Sequence, residues 1–211
     1  MKLFGYFRSS AAYRVRIALN LKAVAYEDAF IHLVRDGGEH LKADYLAINP
    51  QGRVPSLQLD DGTVLIQSPA ILEYIEETYR EPALLPSDPV SRSNIRSAAA
   101  LIGCDIHPLN NLSTMNYLRD PLGHDGDDVK TWYRHWVDVG FSALEQMLSD
   151  GPYAFGETVT MADVYLVPQV YNARRFEIPL QGYPRIVAAD AACAKLEAFQ
   201  KAHPAAQADA Q

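Results

Sequence analysis

Residues 6 to 22 read Tyr6-Phe7-Arg8-Ser9-Ser10-Ala11-Ala12-Tyr13-Arg14-Val15-Arg16-Ile17-Ala18-Leu19-Asn20-Leu21-Lys22. The stretch begins where a short apolar run (Leu3, Phe4, Tyr6) ends. It continues with helical periodicity: Ala12, Val15, Ala18 and Leu19 share one stripe, with Arg14, Arg16, Asn20 and Lys22 off it. Arg8, Ser9 and Ser10 therefore fall on a strand-to-helix turn, where either serine can cap the helix. A helix N-terminus offers unpaired N–H donors and partial positive charge, so it favours an anion. A hydroxyl and an arginine beside it make a place for a thiolate or carboxylate. The plainer alternative is a serine cap with a surface arginine.

Working outward, residues 2–6 read as a strand, 10–22 as a helix and Ala25 to Ile31 as a second strand, which implies a parallel pair with a right-handed crossover. Gly37-Gly38 breaks the chain, and a short helix is expected over Leu41 to Ala47. Asn49-Pro50-Gln51-Gly52-Arg53-Val54-Pro55 is a turn-rich loop. Pro55 to Leu59 and Thr63 to Gln67 form a hairpin about Asp60-Asp61-Gly62. Ser68-Pro69 opens a helix, with Ser68 as the expected cap and Pro69 at the first helical position. This is the order of a thioredoxin-like domain, assigned to residues 1–83. Residues 84–90 read as an ordered, proline-rich linker in which Leu84 and Leu85 are apolar. No strand pattern follows. Helices are expected at about 90–118, 128–149, 160–175 and 184–202, so residues 91–211 read as an all-helical domain. Thr160-Met161-Ala162-Asp163 is a capping box with Asp in place of Glu. The tail from His203 is expected to fray or lie over the surface.

The 211 residues fit one large or two small domains, and a hydrophobic fraction of 48% supports a proper core. A formal net charge of -7 argues against a general nucleic-acid binder. No signal-peptide core or membrane-length apolar run is seen, and the chain reads as a soluble, reduced, cytoplasmic protein without a membrane partner. Of the 2 cysteines, Cys104 and Cys193, neither is required to pair. Cys104-Asp105-Ile106-His107 spaces a thiol and an imidazole three apart on a helix, but no second ligand pair accompanies it, so no metal site is expected.

A thioredoxin-like domain, a proline-rich linker and an all-helical domain together resemble the glutathione transferases. Arg8-Ser9-Ser10 leading into Tyr13-Arg14-Val15-Arg16-Ile17-Ala18-Leu19 is similar to the zeta-class signature. So are residues 49–55, Gln67-Ser68-Pro69-Ala70-Ile71, Thr160 to Asp163, Asp105 to Asn111, Leu166 to Val170 and Ala173-Arg174-Arg175-Phe176. The resemblance runs nearly end to end. It departs at Ala11, where the family often carries cysteine. Ser9 and Ala12 stand where thioredoxin has its two cysteines, so dithiol chemistry is not expected.

The resemblance implies a glutathione-dependent cis–trans isomerase that converts maleylacetoacetate to fumarylacetoacetate by reversible thiolate addition, in tyrosine and phenylalanine breakdown. The alternatives are maleylpyruvate isomerisation in gentisate breakdown, a general glutathione transferase, and a non-catalytic glutathione-binding module. Leu112, where an arginine would help grip the shorter maleylpyruvate, favours the longer substrate. By resemblance Ser9 stabilises the glutathione thiolate, with Ser10 as its neighbour. Val54 and a cis Pro55 pair with the peptide backbone of glutathione. Gln67 and Ser68 hold its γ-glutamyl end, Gln51 and His40 its glycyl end, and Asp105 reaches the γ-glutamyl amine across a dimer interface. Arg8 and Arg175 take the carboxylates of a dicarboxylic keto-acid substrate, with Arg174 as rival to Arg175. His107, Asn110 and Asn111 line the pocket from the helical domain. A homodimer is expected on the same ground.

Overall fold

The computed structural model describes residues 1–210. By its contacts the chain divides into two compact units, Met1–Ala83 together with Ala194–Gln211, and Leu84–Cys193.

The first unit is built on four strands: β1 (Lys2–Gly5), β2 (Glu27–Phe30), β3 (Ser56–Gln58) and β4 (Val64–Ile66), in sheet order β2-β1-β3-β4. β1 and β2 are parallel, with Leu3 opposite Asp28, and the β1–β3 and β3–β4 pairs are antiparallel. Helix α1 (Ser10–Leu21) makes the crossover, the single-turn α2 (Ala43–Leu46) precedes the hairpin, and α3 (Ser68–Thr78) follows it. This is the thioredoxin-like order read from the sequence. Leu3, Val15, Ile17, Leu19, Leu57, Ile71, Leu72 and Ile75 are at most 1% exposed. Each such aliphatic side chain contributes about 1.5–3 kcal/mol by leaving water. Behind α1, Lys22 Nζ meets Glu76 Oε2 at 2.6 Å and donates to the Pro82 carbonyl at 2.7 Å, with both charged side chains buried.

The end of the chain departs from the sequence reading. The expected helix over 184–202 is two helices, α8 (Pro184–Cys193) and α9 (Glu197–Ala202). The second packs along α1 in the first unit and does not continue the helical domain assigned to 91–211. The polar side of α1 is accordingly covered. Arg14 and Arg16 are buried, and Asn20 Nδ2 donates to the Ala198 carbonyl at 3.1 Å. Of the two outcomes expected for the tail beyond His203, fraying or lying over the surface, the structure shows the second: a hydrogen bond from the Phe7 N–H to Asp209 Oδ2 at 3.1 Å ties it back.

The second unit is all-helical: α4 (Pro89–Ala100), α5 (Leu112–Arg119), α6 (Gly126–Met147), α7 (Met161–Arg175) and α8. The single helix expected over 90–118 is broken. A π-helical stretch, Leu101–Ile106, follows α4, and turns carry the chain to Asn111, which caps α5. Pro108 lies in this break and cannot supply a helical N–H. Central α7 is buried through all residues from Met161 to Val170. Its capping box is present: the wholly buried Asp163 accepts from the Thr160 N–H (2.8 Å), the Thr160 hydroxyl (3.0 Å) and the Ala154 N–H (2.8 Å). Glu145 does the same for α8, accepting from the N–H groups of Arg185 and Ile186. Leu84 and Leu85 of the linker are buried here, and the Met161 N–H donates to the Leu84 carbonyl. Both cysteines are free, Cys104 exposed and Cys193 buried.

Candidate functional site

The first unit gathers its candidate residues at the ends of β1, β3 and β4. Ser9, not Ser10, is the N-cap of α1. Its backbone is extended and its Oγ accepts from the Ala12 N–H at 3.2 Å. That bond uses an oxygen lone pair and leaves the hydroxyl hydrogen to donate elsewhere. Ser10 is the first helical residue and is buried. Arg8 is exposed, its guanidinium over the Phe7 ring at 4.7 Å, and it makes no ion pair among the described residues.

The loop 49–55 is shaped from beneath. Asn49, 1% exposed, accepts from the Gln51 N–H at 3.0 Å and donates to the Arg53 carbonyl at 2.7 Å. The Tyr45 hydroxyl donates to that same carbonyl and lies 2.9 Å from Ser56 Oγ. These contacts hold the cis Val54–Pro55 bond at the head of β3. Neither Asn49 nor Tyr45 was singled out from the sequence. The Asn-Pro dipeptide at 49–50 is the one signal that marks this turn.

At the next strand-to-helix turn the cap is Gln67, with φ 68°, and Ser68 is the first residue of α3. The sequence reading placed the cap one residue later, because Ser-Pro is a common cap and first position. The left-handed backbone at Gln67 turns its side chain so that Nε2 donates to Gln51 Oε1 at 2.6 Å. Ser68 is 4% exposed at a helix start whose next residue, Pro69, has no N–H. His40 is half-buried, its Nδ1 without a partner among the described residues, and burial holds its pKa below the ordinary imidazole value.

In the second unit the two neighbouring arginines separate clearly. Arg174 Nη1 meets Asp190 Oδ2 of α8 at 2.6 Å, and that carboxylate is 7% exposed. Arg175 makes no ion pair among the described residues. Its guanidinium lies over the Phe176 ring at 4.8 Å, and the buried Tyr133 ring stacks on Phe176 at 3.8 Å. Burial raises the Tyr133 phenol above its ordinary pKa, a shift that the Arg175 charge opposes, so the hydroxyl stays protonated at neutral pH.

Asn110 and Asn111 are engaged locally. Asn110 Nδ2 donates to the Tyr133 carbonyl at 3.2 Å, while its Oδ1 is buried without a partner among the described residues. Asn111 Oδ1 caps α5, accepting from the Thr114 N–H and the Ser113 hydroxyl. Asp105 is exposed and His107 half-buried at the end of the π-helical stretch. Among the described residues no group of three or more His, Cys, Asp or Glu could hold a metal ion.

Two family models match this chain: the glutathione S-transferase N-terminal domain over residues 8–78 and the glutathione S-transferase C-terminal domain over residues 138–204. Maleylacetoacetate isomerase of Pseudomonas aeruginosa is 54% identical over 209 residues, covering 99% of this chain and 98% of that protein. The chain belongs to the glutathione S-transferase family. Among glutathione S-transferases of known structure, the holo form of a bacterial zeta-class maleylpyruvate isomerase superposes over 100% of both chains, with TM-score 0.96 and 50% identity. A maleylacetoacetate isomerase from Methylobacterium extorquens, solved with malonate and glutathione bound, superposes over 100% of both chains with TM-score 0.95 and 39% identity.

Proposed function

We propose that this glutathione S-transferase is a glutathione-dependent cis–trans isomerase acting on maleylacetoacetate and producing fumarylacetoacetate. The observation that carries the reading is Ser9: a helix cap whose hydroxyl accepts from Ala12 and keeps its own hydrogen for a donor role. The full-length likeness to a maleylacetoacetate isomerase supports the same activity.

The first unit has the groups that glutathione requires. The Val54 N–H and C=O stand outside the strand ladder and find no partner in the chain among the described residues, as an extended peptide laid beside a strand needs. The Ser68 hydroxyl is also without a partner there and sits at a helix N-terminus, which suits the α-carboxylate of the γ-glutamyl residue. Gln67 and Gln51, bonded to each other, fix the amides that flank this position. His40 is neutral at neutral pH and serves the glycyl end as a hydrogen-bonding group, not as a cation. The chemistry the tripeptide supplies when bound is a sulfur that can add reversibly to a conjugated double bond.

Ser9 Oγ–H donates to that sulfur and, with the start of α1, favours its anionic form, since a free thiol has a pKa of about 8.5. Arg8 in the first unit and Arg175 in the second are each suited to bind a carboxylate of the substrate through a planar guanidinium. Both guanidiniums lack a carboxylate partner within the chain among the described residues, whereas Arg174 is committed to Asp190. Asn110 keeps an unpartnered amide oxygen that can accept one hydrogen bond from substrate or water. Asp105 and His107 complete the set carried by the helical unit. We further read the protein as a cytoplasmic homodimer. The family resemblance supports the dimer, and among the described residues no helix is long and apolar enough to cross a membrane.

Maleylpyruvate is the second candidate substrate, favoured by the 50% identity to a maleylpyruvate isomerase over the whole chain. An absorbance assay with both substrates, each with and without glutathione, separates the two. The expected result is glutathione-dependent turnover of both with the higher kcat/KM for maleylacetoacetate. Preference for maleylpyruvate would reassign the substrate, and turnover of neither would remove the isomerase reading.

A further inference from the structure

Phe7 immediately precedes the Arg8–Ser9 pair, and both of its backbone polar groups are held by distant parts of the first unit. Its N–H donates to Asp209 Oδ2 at 3.1 Å, across 202 positions of sequence. Its carbonyl accepts from Arg16 Nη2 at 3.0 Å. Arg16, 3% exposed, uses its Nε to bond the Ala202 carbonyl at 3.0 Å. One buried guanidinium therefore ties the turn to the end of α9, and one carboxylate ties the same peptide to the segment beyond it. The turn is closed by the Ser9 N–H donating to the Tyr6 carbonyl at 3.0 Å. The Asp209 carboxylate is not a loose surface contact, because its second oxygen is buried. The Tyr13 ring meets His203 edge-on at 6.1 Å, so the segment also packs against α1 beside these bonds.

The Phe7 peptide of the Tyr6–Ser9 turn is thus held on both its polar groups, and one of the two holding residues is Asp209 of the C-terminal segment. We propose that Asp209 is a positioning residue for Ser9, the C-terminal segment folding back to hold the Phe7 peptide and so fixing where the neighbouring hydroxyl points. Asp209 acts through Phe7 and touches no substrate. The inference rests on the reading of Ser9 as the group that stabilises the glutathione thiolate. Removing the acceptor leaves the Phe7 N–H to find water and lets the turn rotate about its remaining bonds. A hydrogen bond weakens steeply once its donor angle falls below about 120°, so the single Ser9–thiolate bond suffers before glutathione binding, which is spread over several groups, does.

The test compares wild type, Asp209→Ala, Asp209→Asn and Ser9→Ala by ultraviolet titration of the thiolate of bound glutathione and by isomerisation kinetics. Asp209→Ala is expected to raise the bound thiol's pKa by about 0.5–1 unit and to lower kcat at neutral pH roughly 3- to 10-fold. KM for glutathione should stay within about twofold, because the binding groups at Val54, Gln67 and Ser68 are untouched. Asp209→Asn retains an acceptor oxygen and should return both values close to wild type. A wild-type thiol pKa in a folded Asp209→Ala protein, with Ser9→Ala shifted, would overturn the positioning role alone. An unshifted Ser9→Ala protein would instead overturn the underlying assignment of Ser9. If Asp209→Asn behaves like Asp209→Ala, acceptance of the Phe7 N–H is not the operative contact and the proposal fails.

Discussion

Arg174 and Arg175 are adjacent, chemically identical and differently employed, so replacing each by alanine separates stability from activity. Arg174 holds the carboxylate of Asp190, which is 7% exposed, while its own side chain is 51% exposed. Fully exposed ion pairs are worth about 0–1 kcal/mol and breaking a buried one costs about 3–5. A pair buried on one side only falls between, at about 1–2 kcal/mol. In a chain of this size that corresponds to a fall in Tm of roughly 2–8 °C for Arg174→Ala. Arg175 has no ion pair among the described residues and lies over Phe176 at 4.8 Å, an exposed cation–π contact worth about 0.5–1 kcal/mol. Its loss removes charge-assisted hydrogen bonds to a substrate carboxylate worth about 1.5–3 kcal/mol, which is roughly 10- to 150-fold in kcat/KM. Thermal unfolding and steady-state isomerisation on both variants give the comparison. Arg174→Ala should lose stability with its catalytic efficiency within about threefold of wild type. Arg175→Ala should lose efficiency with little change in Tm, and Arg175→Lys should recover only part, since an ammonium cannot pair bidentately. A large fall in kcat/KM for Arg174→Ala and none for Arg175→Ala would refute the reasoning.

The Lys22–Glu76 pair lies in the interior, so Lys22→Met strands a buried carboxylate and should cost about 3–5 kcal/mol in urea unfolding, whereas the double change Lys22→Met, Glu76→Leu should cost clearly less. The pKa of His40 is lowered by burial, so below the ordinary imidazole pKa of about 6.5 the unfolded chain takes up a proton that the folded one resists. Stability should therefore fall as pH drops through that window, and His40→Gln should flatten this part of the urea midpoint–pH profile while leaving the midpoint at pH values above it unchanged.

The strand–helix–strand–hairpin–helix order was legible because each element carries its own punctuation: Gly37-Gly38, Asp60-Asp61-Gly62 and Ser68-Pro69 are local signals, and the Thr160–Asp163 box announces α7. The candidate side chains at positions 8, 9, 51, 67 and 68 could be named from the sequence because they belong to short contiguous motifs. What escaped was set by contacts distant in sequence. Arg16 lies off the apolar stripe of α1, and nothing near it in sequence shows that its guanidinium is buried under α9. Asp209 sits in an Ala- and Gln-rich tail with no periodicity, yet it holds Phe7. The break between α4 and α5 has a local signal in Pro108, which the single helix expected over 90–118 passed over. The cap of α3 fell at Gln67, one residue before the expected Ser68, and the Ser9–Ser10 pair left both choices open until the structure placed the cap at Ser9, because backbone dihedrals decide a cap. The distinct fates of Arg174 and Arg175 depend on Asp190, which sequence spacing could not bring to one of them.

The central claim is that the chain lends glutathione to an isomerisation and gets it back. The most direct measurement follows maleylacetoacetate loss, fumarylacetoacetate formation and free glutathione together through many turnovers. The account predicts complete glutathione dependence, one product formed per substrate lost, and a glutathione concentration unchanged at the end. Glutathione falling in step with substrate would mark a conjugating transferase, and conversion without glutathione would contradict the role given to Ser9 and to the whole first unit.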